Sequence, residues 1–127
     1  MFKRKKLFIV AVVIVLMLAM TVTAYAATYF CYLRVDNRGE AKTAAVTSLK
    51  AKSTGYNSNY STNSMELRLQ TKVNGEWTKL ARWVLPVNYW NFDSGLVQVQ
   101  TPLSFRTKIY SCGYTGGVEG GGAIYDY

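Results

Sequence analysis

The stretch SMELRLQTKVNGEWTKLARWVL, residues 64–85, is the strongest indication of fold in this sequence. Two runs of alternating apolar and polar residues meet at Asn74-Gly75, a pair typical of the tight turn of a β-hairpin. Successive side chains of a strand point to opposite faces, so the run before the turn has one apolar face and one polar face. The apolar face consists of Met65, Leu67, Leu69 and Val73. The stretch therefore predicts a half-buried hairpin.

The strand after the turn has two alternative registers. A two-residue loop turns Leu80 and Val84 inward. A three-residue loop with a bulge turns the other set inward: Trp77, Ala81, Trp83 and Leu85. We favour the three-residue loop, because burying two indole rings removes more apolar surface from water than burying Leu80 and Val84.

Alternation of side chains also predicts strands on both sides of the hairpin. Residues 28–35 and 40–52 are predicted strands before it, the second with a helix as its alternative. Residues 96–114 follow it, with Val97, Val99, Leu103, Phe105 and Ile109 on one face. Thr101-Pro102 is predicted to divide this run in two, because proline cannot donate to a central ladder.

The remaining segments are predicted as loops. Residues 53–63 are rich in Ser, Thr and Asn without periodicity, and residues 113–122 form a flexible glycine-rich turn before a short last strand. The pattern as a whole predicts an all-β fold, a small antiparallel sandwich of the immunoglobulin-like type. We expect about 6–7 strands.

The beginning of the chain has the layout of a secretory signal peptide. Four basic residues at positions 3–6 precede an apolar run from Leu7 to Met20, and Ala24-Tyr25-Ala26 supplies the small residues that signal peptidase requires. We expect residues 1–26 to be a signal-peptide helix that is removed, leaving residues 27–127 as one secreted or extracellular domain. The alternative is an uncleaved anchor that spans the membrane with residues 7–27 and holds the domain outside.

The net charge depends on this leader. The whole sequence has 15 Lys and Arg against 7 Asp and Glu. Without the four basic residues of the leader, eleven Lys and Arg remain, a formal charge of +4. This mild excess is compatible with a loose association with anionic cell-wall polymer or membrane surface, but the scattered basic residues do not indicate nucleic-acid binding. The alternative, which we favour, is a solvated surface that a modest net charge keeps soluble.

Cys31 and Cys112 are the two cysteines of the chain, one near each end of the exported part. An exported protein meets oxidising conditions, so we predict a disulfide between them. Such a bond would stabilise the domain by about 4 kcal/mol in the chain-entropy model. The alternative is two free thiols. With no histidine, the chain has too few nitrogen and sulfur ligands for a zinc site, and we expect neither a metal nor a cofactor.

Residues 86–95, PVNYWNFDSG, place three aromatic side chains close together: Tyr89, Trp90 and Phe92. Such rings can stack on sugars, or they can close the open end of a sandwich as a small apolar cluster. We favour the closing role. The three rings remain the candidate binding residues, and a coplanar, exposed arrangement would indicate a glycan site.

The composition argues against an enzyme. The absence of histidine removes the commonest general base and the middle member of serine and cysteine triads. Five of the seven acidic residues are predicted on turns, outward strand faces or the tail: Glu66, Glu76, Asp93, Glu119 and Asp126. A small sandwich also seldom has a deep cleft between two carboxylates. We expect no catalytic residues.

The strand that runs into Asn74-Gly75-Glu76-Trp77, then Trp83, then Phe105-Arg106 and Tyr110 before Gly116-Gly117 resembles a loose group of small exported β-sandwich proteins of Gram-positive bacteria. The resemblance covers residues 65–117. It implies a sandwich fold and export, and it assigns no site residues.

Two functions are compatible with these observations. The first, which we favour, is a secreted or surface-exposed, non-catalytic interaction module that binds another protein or cell-wall glycan through its sheet faces and loops. The second is a small secreted antagonistic protein of the bacteriocin type, suggested by size, export, mild positive charge and aromatic content.

Overall fold

The computed structural model describes residues 27–36 and 39–127, which form an all-β, antiparallel fold. Its eight strands are β1 Thr28–Leu33, β2 Glu40–Lys42, β3 Val46–Asn57, β4 Met65–Val73, β5 Glu76–Leu85, β6 Tyr89–Asp93, β7 Val97–Ser111 and β8 Gly120–Asp126. The predicted signal peptide lies outside the described residues. Within residues 27–36 and 39–127, no helix has the length and apolar character to cross a membrane.

The strands form the two layers of a β-sandwich, in the order β1-β8-β3-β7-β4-β5, with β2 paired to β7 and β6 paired to β3. Strand β3 belongs to both layers, because residues 46–51 pair with β7 whereas residues 51–57 pair with β8. We call β1, β8, the second half of β3 and β6 the first sheet. The second sheet consists of β2, β7, β4 and β5, with the first half of β3.

This strand order is not that of an immunoglobulin sandwich. In that fold the third strand lies beside the sixth, and the seventh is the neighbour of the sixth. Here β3 lies between β7 and β8, and the first and last strands pair antiparallel. The prediction of an immunoglobulin-like type is therefore corrected, as is the strand number, because the described residues form eight strands.

The core lies between the inner faces of the two sheets. It has two groups of buried side chains, the first made of Cys31, Leu33, Met65, Leu67, Leu85, Ile109 and Val118. The second group is Val46, Ala51, Leu69, Phe105 and Ile124. Trp83 packs against both groups. The predicted inner face of β7 is confirmed, since its five apolar residues all belong to this core or pack against it.

The central hairpin is present, with a shorter loop than predicted. Val73 pairs with Glu76, and both loop residues have positive φ, 51° at Asn74 and 81° at Gly75. This is a two-residue turn of type I′, the kind that matches the twist of the flanking strands. The predicted three-residue loop is wrong.

The bulge lies further along β5, where Leu80 is the extra residue between the pairs Gln70 with Lys79 and Leu69 with Ala81. Beyond it the predicted inward phase is restored, because Ala81, Trp83 and Leu85 all face the core while Leu80 stays exposed. Before the bulge, Trp77 pairs with Lys72 and shares its outward phase. The prediction that Trp77 turns inward is therefore wrong.

Two segments predicted as loops contain strands. Residues 53–57 continue β3, because the polar side chains inside the sandwich find partners: Ser53 Oγ lies 2.7 Å from Thr107 Oγ1, and Asn57 Nδ2 donates to the carbonyl oxygen of Leu85 at 3.0 Å. Residues 120–122 begin β8. A Cβ atom at Gly122 would lie 2.9 Å from Ile109 Cγ2, so glycine here allows the two sheets to approach closely.

The predicted division of residues 96–114 at Thr101-Pro102 does not occur. Strand β7 runs without interruption from Val97 to Ser111. Its pairing with β3 shifts register between the pair of Ser48 with Leu103 and that of Lys50 with Gln98, and Pro102 falls in this irregular part of the ladder. A shift of this kind accommodates a residue that has no amide hydrogen to donate.

Candidate functional site: an aromatic groove on the first sheet

The outer face of the first sheet carries a groove of about 410 Å³, a volume within the range of small-ligand sites. Its residues come from all four strands of that sheet. The rings in its lining are Phe30, Tyr32, Tyr56, Trp90, Phe92 and Tyr125. Three of them, Phe30, Tyr32 and Trp90, are about half exposed or more, at 57%, 63% and 49%. We call this surface the aromatic groove.

Strand register explains why the surface is concave. Tyr32, Gly121 and Tyr56 lie directly opposite one another on β1, β8 and β3, so a residue without a side chain separates two rings. A Cβ atom at Gly121 would lie 2.6 Å from Tyr56 Cε1 and 3.2 Å from Tyr32 Cδ1. In the next row, Phe30 lies opposite Ala123, which lies opposite Thr54. Small residues therefore form the floor, and rings form the walls.

One wall is a stacked pair of rings. The planes of Tyr56 and Trp90 are 6° from parallel, with 5.2 Å between ring centroids. The indole is also held by its edge, because Trp90 Nε1 donates to Asn88 Oδ1 at 2.7 Å. Both contacts fix the orientation of the ring before a ligand arrives, and such preorganisation reduces the entropy cost of binding.

A charged pair lies at the β6 side of the groove. Lys52 Nζ is 2.9 Å from Asp93 Oδ2, and the amide of Gly95 donates to Asp93 Oδ1 at 2.8 Å. These contacts hold the pKa of Asp93 below its ordinary value, the Gly95 amide being the larger cause. Asp93 is therefore a fixed, ionised acceptor beside the rings, and it can accept hydrogen bonds from hydroxyl or amide groups.

The three ring residues predicted as binding candidates do not form one platform. Both Trp90 and Phe92 border the groove, but Phe92 also packs against the core, with its ring centroid 5.1 Å from that of Trp83. Tyr89 is exposed, and its ring lies 6.5 Å from that of Phe92 at 52°. Phe92 thus packs on the apolar core, while the exposed ring of Trp90 belongs to the groove. The neighbours of Trp90 come from β1, β3 and β8, which no local window of sequence brings together.

A signal for the groove was nevertheless present in β1. Cys31 and Leu33 lie on its buried phase, so Phe30 and Tyr32 must lie on the exposed phase. Two large rings on an exposed strand face are a feature that sequence reasoning can use. Their role as walls of a groove depends on the small residues of β8 beside them, and that pairing is not evident from the sequence of β1.

The two cysteines are free in the structure, so the predicted disulfide is absent. Cys31 is in the core, opposite Gly122 of β8. Cys112 begins a 3-10 turn after β7 and is half-buried, with Glu66 and Arg82 of the second sheet as its charged neighbours. Cys31 points between the sheets, whereas Cys112 lies in the turn after β7. The two sulfur atoms are therefore in different parts of the sandwich. Among the described residues, no group of three or more His, Cys, Asp or Glu is placed to hold a metal ion.

The thiols are expected to react at different rates with an alkylating agent. Burial raises the pKa of Cys31 to about 11, so very little reactive thiolate is present at pH 8. Iodoacetamide without reductant should modify Cys112 first and Cys31 only after addition of denaturant, as followed by peptide mass spectrometry. If both thiols become reactive only after reduction, they are bonded and this account of the cysteines is wrong.

Comparisons with known proteins place the chain in no family. No protein-family model matches it, and no curated protein sequence matches it. Among solved structures, PirA has 12% sequence identity and a TM-score of 0.48, over 81% of this chain and 94% of that chain. The Yersinia pseudotuberculosis-derived mitogen has 16% identity and a TM-score of 0.43, over 80% and 85% of the two chains. Murine APRIL at pH 8.5 has 8% identity and a TM-score of 0.44, over 79% and 98%.

Proposed function

We propose that this protein is a secreted or surface-exposed, non-catalytic interaction module that binds a cell-wall glycan in the aromatic groove. The observation that carries the proposal is the row Tyr32, Gly121 and Tyr56 with Trp90 stacked at its end. The two outer rings, Tyr32 and Trp90, are about half exposed or more. Because covering such rings removes much apolar surface from water, exposed rings at one place indicate a surface that a ligand covers. Export and the cell-surface location rest on the signal-peptide pattern of residues 1–26.

A sugar chain suits the mixture of groups in this groove. The C–H faces of a pyranose ring can lie against an aromatic ring, while its hydroxyl groups need polar partners nearby. Thr54, Asn91 and Asp93 supply such partners in the same lining. An apolar peptide would contact the rings but would make no hydrogen bonds with Thr54, Asn91 and Asp93, and burying polar groups without partners is costly.

Trp90→Ala is expected to weaken binding of glycan at least tenfold, which corresponds to about 1.4 kcal/mol. The reason is that the substitution removes one exposed ring and also the stacking support of Tyr56. The measurement is isothermal titration calorimetry with soluble glycan strands prepared from Gram-positive peptidoglycan.

Tyr60→Ala is the matched control, because Tyr60 is 70% exposed and is not part of the groove lining. Its affinity should equal that of the unmodified protein. Equal affinities of the Trp90→Ala variant and the unmodified protein would rule out the groove as the site. If the unmodified protein does not bind the glycan strands but binds a protein from the envelope fraction, the ligand is a protein instead.

A further inference from the structure

The fold collects basic residues that are scattered in the sequence. Seven of the eleven Lys and Arg in residues 27–127 share the outward phase of strands β2, β4, β5 and β7 in the second sheet. They are Lys42, Arg68, Lys72, Lys79, Arg82, Arg106 and Lys108. Two carboxylates, Glu40 and Glu66, accompany them on the same phase. We call this surface the basic face; it is on the opposite side of the sandwich from the aromatic groove.

Four of these cations form a row across adjacent strands. The register places Lys42 opposite Lys108, Lys108 opposite Arg68, and Arg68 opposite Arg82. Like charges directly opposite one another destabilise a sheet. With neighbouring strands about 4.8 Å apart, the row is a compact line of positive charge. Such an arrangement is costly unless anions lie beside it.

The neighbouring carboxylates neutralise only part of this charge. Glu40 lies 2.6 Å from Lys108 and 3.5 Å from Lys42, and these contacts lower its pKa, the Lys108 hydrogen bond being the main cause. Glu66 lies 2.7 Å from Arg68 and 2.6 Å from Arg82. Each carboxylate is therefore shared between two cations. The remaining positive charge of the row, together with that of Lys72, Lys79 and Arg106, faces outward.

Two aromatic rings of this face, Trp77 and Tyr110, are covered by cations. The Arg106 guanidinium carbon is 4.2 Å from the centroid of Trp77, and that of Arg68 is 4.9 Å from the centroid of Tyr110. Cation–π contacts of this kind hold the charged groups in place. Bases of single-stranded nucleic acid stack on bare rings, and membrane-surface segments insert free ones. Trp77 and Tyr110 are covered in this way, and Tyr114, half exposed and stacked on Tyr110, presents one partly free ring beside seven cations. Charge is therefore the main feature that this face offers a ligand.

We infer that the basic face binds a linear polymer of repeating phosphate groups that carries no bases. The observation that carries this inference is the four-cation row with two shared carboxylates. Arg and Lys both bind phosphate oxygens, and the guanidinium fork does so through paired hydrogen bonds. The site is independent of the aromatic groove, so the two ligands should bind without competition.

The test is titration of the full-length chain with inorganic polyphosphate at several salt concentrations. The Lys79→Gln/Arg82→Gln variant removes one Lys and one Arg from the basic face, and both are exposed. Its matched control is Arg34→Gln/Lys52→Gln, which removes one Arg and one Lys outside the second sheet, because Arg34 is exposed after β1 and Lys52 pairs with β8. Circular dichroism and thermal melting confirm that both variants fold.

We expect the basic-face variant to bind at least tenfold more weakly than the unmodified chain and the control less than threefold. The slope of log affinity against log salt should fall by about 2 in the basic-face variant, about 1 for each lost contact. Equal losses in the two variants would mean that net charge alone is responsible, and this would overturn the site. Tighter binding to duplex DNA or to phosphatidylglycerol vesicles, at matched phosphate concentration, would overturn the choice of polymer.

Discussion

Phe105→Ala is expected to lower the free energy of unfolding by about 3–5 kcal/mol, the range for removing a fully buried phenyl ring. Phe105 has no exposed surface and lies in the core group of β3, β4, β7 and β8. Strand β7 pairs with both β3 and β4, and β3 is the strand that belongs to both layers. A cavity beside Phe105 therefore affects the packing of β3. Urea denaturation followed by circular dichroism measures the change.

Phe30→Ala is the same substitution at a ring that is 57% exposed, and it should cost less than about 1 kcal/mol. The pair therefore separates burial from the chemistry of the side chain. Similar midpoints for the two variants would contradict the assignment of Phe105 to the core. Because Phe30 lines the aromatic groove, its variant also provides a folded protein for the glycan titration.

Trp83→Ala is expected to lower the free energy of unfolding by about 3 kcal/mol, at the low end of the range for large core residues, because its indole is only partly buried. The indole packs against both core groups and lies 5.1 Å from the ring of Phe92. Its removal should therefore loosen β6 as well as β5. Urea denaturation gives the size of the effect, and near-ultraviolet circular dichroism reports the loss of the ring contact.

Leu80→Ala is the control in the same strand. Leu80 is the extra residue of the bulge and is 46% exposed, so its truncation should change stability by less than about 1 kcal/mol. A severe effect of Leu80→Ala with a nearly neutral Trp83→Ala would mean that the bulge is absent. The indole of Trp83 would then point outward.

Alternation of side chains predicted those parts of the fold in which apolar residues face the core. Met65, Leu67 and Leu69 of β4 and the five apolar residues of β7 follow this rule, because a side chain on every second position meets the opposite sheet. Val73, predicted on the same apolar face, is 47% exposed at the end of β4. The rule also predicted Trp83 and Leu85 inward. It failed at Trp77, because a bulge at Leu80 changes the phase of β5 in mid-strand, and the sequence carries no marker for its position.

Polar and glycine-rich strands could not be predicted from local sequence. Ser53 and Thr107 are polar and yet fully buried. Their burial is possible because both hydroxyl groups have partners: Ser53 Oγ contacts Thr107 Oγ1, and Thr107 Oγ1 donates to the carbonyl oxygen of Ala123 at 2.7 Å. These partners are far apart in the chain. The glycines at the beginning of β8 predicted a flexible turn, but they form a strand between β1 and β3. Glycine is suited to this strand because the rings of Tyr32 and Tyr56 approach one face of β8 and Ile109 of the second sheet approaches the other.

The two candidate sites also depend on strand order. Each is a set of residues on the outward phase of neighbouring strands, and the order of those strands cannot be derived from hairpins alone. The basic residues are scattered along the sequence because they lie on strands that are far apart in the chain. Once β2, β7, β4 and β5 lie side by side, Lys42 and Arg82 belong to the same row.

The proposed function places glycan binding in the aromatic groove and not on the opposite face of the sandwich. The three tryptophans are natural reporters, because Trp90 lies in the groove, Trp83 contacts the core and Trp77 lies on the basic face. Two-dimensional ¹H–¹⁵N NMR resolves their indole N–H signals, which Trp→Phe variants assign. Titration with peptidoglycan glycan strands should shift the Trp90 signal and leave that of Trp77 unchanged. A shift of Trp77 with an unmoved Trp90 would contradict the account.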